Sequence, residues 1–179
     1  MNNILSARWA VTRVLTVTAV VVLSVCARGR AQTPPAPAVN VKAVSSKELK
    51  QALAAHKGKA VMINLWATWC GPCVDEFPDL VKLAQNYADR GLVVLGVSVD
   101  DPEDLEKVAA FARTQKAKFP IYVRKSGSLS GFTSVVNRTW EGSVPTTYIL
   151  GRNGKPAGKP AVGLRTYSQF AALVEPLLK

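Results

Sequence analysis

Ala60-Val61-Met62-Ile63-Asn64-Leu65-Trp66-Ala67-Thr68-Trp69-Cys70-Gly71-Pro72-Cys73 is the stretch that decides the fold. Ala60 to Trp66 is apolar apart from Asn64, as expected of a central strand covered on both faces. Gly71 to Arg90 then carries Leu80, Leu83, Ala84 and Tyr87 at helical spacing, with Pro78 expected to kink the helix because it cannot donate to the carbonyl four residues earlier. Leu92 to Val99 is a second apolar run, so the three segments form a strand-helix-strand unit with a right-handed crossover. Cys70 therefore falls at a helix N-terminus, where unpaired N–H groups and the helix dipole favour thiolate over thiol. Cys73, one turn on, is close enough for a disulfide with Cys70, and Pro72 lacks an N–H that the first turn leaves unpaired anyway.

Outward from this unit the pattern continues. Upstream, Ser45 or Ser46 with Glu48 opens a helix carrying Leu49, Ala52, Leu53 and His56, stopped by Gly58. Downstream, Asp101-Pro102-Glu103-Asp104 starts a helix whose apolar face is Leu105, Val108, Ala109 and Ala112. A short strand is expected at Pro120 to Val123. Thr146 to Leu150, the turn Arg152-Asn153-Gly154-Lys155, and Lys159 to Gly163 read as a hairpin, followed by a helix that Thr166 and Gln169 cap and Pro176 ends. The order predicts an α/β fold, a mixed central sheet flanked by helices in a single domain.

The chain's 179 residues leave room for one such domain beyond an N-terminal extension. Arg8 and Arg13 precede the apolar run Val14 to Val25, and Gly29 and Ala31 give the small-x-small pattern of a cleavage site. Residues 1–31 are expected to be a signal peptide cleaved after Ala31; an uncleaved membrane anchor and a lipid-bearing Cys26 are the alternatives. Residues 32–44, with Pro34, Pro35 and Pro37, are expected to be an extended linker before a domain at 45–179. Cleavage would remove Cys26, leaving Cys70 and Cys73 as a lone pair, and four arginines from a net charge of +11. The remaining lysines are scattered rather than interleaved with aromatics, which argues against nucleic acid and for a solvated basic surface. A zinc knuckle built on C-x-x-C needs two more ligands; His56 is the sole histidine, so no metal and no cofactor are expected.

The segment Asn64 to Cys73 resembles the thioredoxin active site, and Ser143-Val144-Pro145-Thr146-Thr147-Tyr148-Ile149 resembles the segment that holds that family's cis-proline. With Glu76-Phe77-Pro78 after the second cysteine and the secretory N-terminus, residues 45–179 are most similar to the TlpA/ResA-like branch of bacterial envelope thiol-disulfide oxidoreductases. The resemblance implies a thioredoxin-like fold, a redox-active disulfide between Cys70 and Cys73, and a cis Pro145 beside it. Client peptide would add as a strand to the Val144 backbone, with Trp69, Gly71 and Pro72 completing the contact surface.

Asn64 departs from thioredoxin, which carries a buried acid at that position. Glu76, three residues after Cys73 on the same helical face, is the candidate to take the Cys73 proton in its place. A first-turn carboxylate complementing the helix dipole, the role expected of Asp75 and Asp79, is the alternative for Glu76. Trp66 and Phe77 are expected in the core, and Trp140 is open between packing and function. Gly-Pro between the cysteines matches thioredoxin and so favours a reductant. The family pattern implies a membrane thiol transporter as electron donor, exported thiol proteins such as apocytochrome c as clients, and a location in the periplasm or on the outer face of the inner membrane. A disulfide oxidase or isomerase, and a protein handling Cu(I) through its two thiolates, are the competing functions.

Overall fold

The computed structural model describes residues 39–178. The expected signal segment 1–31 and most of the linker lie outside the described residues. The elements in chain order are β1 (Val41–Val44), α1 (Ser46–Ala54), β2 (Ala60–Trp66), α2 (Gly71–Tyr87), β3 (Leu92–Ser98), α3 (Leu105–Thr114), β4 (Ile121–Arg124), α4 (Leu129–Thr133), β5 (Thr146–Leu150), β6 (Ala161–Val162) and α5 (Tyr167–Val174). They form one six-stranded sheet in the order β1-β4-β3-β2-β5-β6. Strands β1, β4, β3 and β2 are mutually parallel, β5 runs antiparallel to β2, and β6 runs antiparallel to β5, giving the mixed sheet that the sequence predicts.

Strand β2 is buried along its whole length because both faces are covered. Met62 and Trp66 point into a core shared with Phe77, Leu80 and Leu83 of α2 and Phe170 and Val174 of α5. Val61, Ile63 and Leu65 point the other way, toward Leu49 of α1 and Phe132 of α4. The alternation of a strand thus assigns Asn64 to the α2 and α5 side, the face on which Glu76 lies. Each fully buried Leu or Phe in these layers contributes roughly 1.5–3 kcal/mol through removal of apolar surface from water.

Beneath the cysteine motif, Trp66 packs against Phe77 and Phe111 with ring centroids 4.6 and 5.2 Å away. The indole fits because β3 carries glycine beside it: a Cβ on Gly96 would stand 3.1 Å from Trp66 Nε1 and 3.1 Å from Ile121 Cγ1. Gly96→Ala is therefore expected to overpack this layer and lower stability by about 1–2 kcal/mol. The measurement is a denaturant midpoint that falls at unchanged slope.

Several elements match their sequence signals closely. Ser45 and Glu48 form a capping box on α1, and Thr166 and Gln169 form one on α5. Pro78 is exposed on α2, which continues past it to Tyr87 and tightens into a 3₁₀ turn at Ala88–Arg90. The run at Pro102 begins as a 3₁₀ turn before α3, and Asp101, instead of capping it, pairs with Arg124 at 2.7 Å.

Two elements differ from expectation. Val41–Val44, expected in the linker, form a strand and pair in register with Ile121–Arg124. This edge strand buries only Val44, so its four residues carry no visible alternation. Helix α4, capped by Ser128 Oγ accepting from Gly131 N, lies in a stretch where no element is expected. His56 falls in the turn after α1 rather than on it.

Candidate active site

Cys70 is the N-cap residue of α2, in extended conformation at φ −90° and ψ 105°. Its Sγ accepts the backbone N–H of Cys73 at 3.2 Å, so one first-turn donor of the helix is aimed at the sulfur where negative charge would develop. Cys70 and Cys73 are joined as a disulfide. Cys70 is 6% exposed and Cys73 fully buried, which makes Cys70 the sulfur that an incoming group reaches. Gly71 and Pro72 are exposed around it, and Trp69 is 62% exposed, a large apolar side chain left in water beside the disulfide.

The peptide between Val144 and Pro145 is cis. Leu65 of β2 lies opposite Thr146 of β5. Pro145, one residue before β5, is thereby carried to the end of β2 from which the Trp66–Cys70 loop departs. The loop before it is fixed by the Ser143 carbonyl, which accepts from Trp140 Nε1 at 2.9 Å and Thr146 Oγ1 at 2.7 Å. Trp140 is thus a packing and loop-fixing residue, half-buried between the two cores. On the far side Gly163 N donates to the Pro145 carbonyl at 2.8 Å. Among the described residues no backbone-backbone hydrogen bond uses the N–H or C=O of Val144.

Glu76 is 2% exposed, one turn beyond Cys73 on the buried face of α2. Its Oε1 accepts from Asn64 Nδ2 and its Oε2 from the backbone N–H of Arg165, both at 2.8 Å. Asn64 Nδ2 also donates to Thr147 Oγ1 at 3.1 Å. Burial pushes the Glu76 carboxyl above the ordinary glutamate range; the two donors and the Arg165 charge oppose that rise without cancelling it. A buried acid held this way keeps its proton to higher pH than a surface carboxylate answering the helix dipole does. Of the other two acids on α2, Asp75 is exposed, whereas Asp79 Oδ2 accepts from Tyr167 N at 2.9 Å and so clamps the start of α5.

Sequence reasoning missed Asp100. This fully buried aspartate follows β3 and accepts from Thr68 N at 3.0 Å and Ser98 Oγ at 2.6 Å, with Thr68 Oγ1 as a further donor. It ties the loop carrying Cys70 to the end of the neighbouring strand. The available signal was an acid closing the apolar run Leu92 to Val99, a placement that has to be explained because buried acids need partners. His56 follows α1, which covers the opposite face of the sheet from α2, so it does not join Cys73 in a ligand set.

Comparison with known proteins agrees with this geometry. Residues 33–156 match the AhpC/TSA family. Thioredoxin-like protein YneN of Bacillus subtilis is 41% identical over 120 residues, 66% of this chain and 65% of that protein. Thiol-disulfide oxidoreductase ResA of Bacillus cereus is 30% identical over 119 residues, 66% of this chain and 64% of its own length. The matched stretch thus spans just under two-thirds of these two relatives. Among solved structures, a thiol:disulfide interchange protein of the thioredoxin family from Chlorobium tepidum superposes with a TM-score of 0.61 at 29% identity, covering 70% of this chain and 84% of that one. With its mixed sheet, its Cys70–Cys73 disulfide at the head of α2 and these matches, the chain belongs to the AhpC/TSA family, as a ResA-like member of the thioredoxin superfamily.

Proposed function

We propose that the protein is an exported thiol-disulfide oxidoreductase that reduces disulfides in envelope proteins. The observation that carries this reading is the Cys70–Cys73 disulfide with one sulfur reachable at a helix N-terminus and the other fully buried, one turn from the buried acid Glu76. In the reduced protein, Cys70 thiolate attacks a client disulfide; a Cys70–client bond forms and the client's other sulfur leaves as thiolate. Glu76 accepts the Cys73 proton, and Cys73 then attacks Cys70 Sγ, expelling the client's second sulfur. Two electrons pass to the client, and the protein is left as the disulfide seen here.

The client contact is assigned to the surface around that pair. Val144, whose backbone groups are free of partners among the described residues, offers a place for an extended peptide to add as a strand. Trp69, together with Val162 at 56% and Leu164 at 42% exposure, supplies apolar flanks, and Gly71 and Pro72 leave the approach to Cys70 open. Val162 pairs with Thr146, next to Pro145, which brings β6 to the same end of the sheet. The secretory pattern at residues 1–31 supports an extracytoplasmic site, anchored or free. A reductant there needs electrons delivered through the membrane, so a membrane thiol transporter is the partner that fits, and apocytochrome c is one client of the right chemistry.

The test is the equilibrium reduction potential of the protein in dithiothreitol or glutathione buffers, followed through Trp fluorescence. A value near about −270 mV is the expected result. A value near about −120 mV overturns the reductant reading in favour of an oxidase, and the absence of any reversible couple sinks both and favours thiolate metal binding.

A further inference from the structure

Between β6 and α5 the chain turns through Val162-Gly163-Leu164-Arg165, and this turn is tied to the active site at both ends. Gly163, at φ 86° where only glycine sits without strain, donates its N–H to the Pro145 carbonyl, while Arg165 donates its N–H to Glu76 Oε2. The Arg165 side chain folds back over its own turn: Nη1 donates to the Leu164 carbonyl at 2.9 Å and Nη2 to the Val162 carbonyl at 3.1 Å. The planar guanidinium fork thus closes the turn, and lysine, with a single rotating ammonium, cannot reproduce the two-point grip.

We propose that Arg165 is a positioning residue of the redox site, whose guanidinium staples the turn so that its backbone N–H stays on Glu76 and its charge stays beside that carboxylate. This rests on the reading of Glu76 as proton acceptor for Cys73. The groups around Glu76 define the balance. Strands β2 and β5 supply neutral Asn64 and Thr147. Helix α2 supplies Cys73 and Asp79, the latter occupied by Tyr167 N, and the Tyr167 hydroxyl on α5 is engaged by Asn86 Nδ2 at 3.0 Å. The turn supplies Arg165, which favours the ionised form through both a donor and a positive charge. Arg165 also holds Val162 and Leu164, the exposed apolar residues assigned to client contact, so one side chain organises the proton acceptor and part of the docking surface.

The experiment titrates Glu76 directly in the oxidised protein, where Cys73 carries no proton, by the carboxyl ¹³C resonance of glutamate-labelled samples. Glu76→Gln identifies the resonance by its loss. In Arg165→Ala the midpoint is expected to rise by about one pH unit over wild type, because a donor is loosened and a cation removed. Arg165→Lys, which keeps the charge and loses the fork, is expected to fall between them. An unmoved midpoint in Arg165→Ala overturns the proposal, and a lysine variant indistinguishable from wild type overturns the staple. The rate at which Cys73 releases a client mixed disulfide, followed against pH in the same variants, separates the two readings. A midpoint that moves while the rate profile stays put upholds Arg165 as the residue that sets Glu76 and overturns instead the role of Glu76 in resolution.

Discussion

A Cys73→Ser protein stops after one transfer, with its client still joined to Cys70. The structure makes the two sulfurs unequal: Cys70 is at the surface of the site, Cys73 beneath it with no exposed area. In the proposed reaction resolution is intramolecular, between sulfurs whose α-carbons are 5.2 Å apart. Well-oriented intramolecular attack reaches effective concentrations of roughly 10⁵ M or more, far above any free thiol. Loss of that attack is expected to cut turnover by about a thousandfold or more, the residue being slow release by thiols from solution. The check is a non-reducing gel and an intact-mass measurement after mixing with a disulfide-bearing protein, showing a one-to-one adduct lost on reduction. Cys70→Ser is expected to give no adduct, since buried Cys73 meets no client. A Cys73→Ser protein that turns over within tenfold of wild type would show that Cys73 is not the resolving thiol.

The parts of the molecule legible in the sequence are those whose signal is local. The seven-residue runs of β2 and β3, the 3.6-residue spacing of Leu80, Leu83 and Tyr87 on α2, and the two capping boxes each lie within one element, and the sheet follows from their order. The cysteine pair was legible because two residues and a helix start set its geometry. What stayed hidden depends on chain-distant partners. Asp100 reads as one more acid before a helix until Thr68, 32 residues away, is seen to donate to it. Arg165 reads as a surface cation until its backbone meets Glu76 across 89 residues. Strand β1 is too short and too little buried to alternate, and acquires meaning only through its pairing with β4. Glu76 falls between these cases: spacing places it on the face of Cys73, but its burial and its two donors belong to the fold.

The substitution of Asn64 by aspartate is expected to turn this buried arrangement into a pH-dependent liability. In the present protein Asn64 donates to Glu76 Oε1 at 2.8 Å, a neutral donor satisfying a buried carboxyl. Aspartate replaces the donor by an acceptor and faces one carboxyl with another at hydrogen-bonding distance, both shielded from water. Two such groups share a single proton and titrate as a pair, one member remaining protonated well above the ordinary carboxylate range. Thr147 Oγ1, which now accepts from Asn64, can turn its hydroxyl toward the new carboxylate, so the singly protonated pair is satisfied. The unfolded chain, by contrast, releases both protons above about pH 4.5. The folded state therefore binds more protons than the unfolded one through the neutral range, and stability falls as pH rises. At about pH 5 Asn64→Asp is expected to lie within about 1 kcal/mol of wild type, and by pH 8 to be less stable by about 1–2 kcal/mol, because the wild type, whose Glu76 carboxyl is also raised, loses part of the same stability over that range. Guanidinium denaturation of both proteins at the two pH values measures it. A stability difference that is the same at both values would mean that Asn64 does not face Glu76 in a dry site, and that water rather than Asn64 meets the demand of the buried acid.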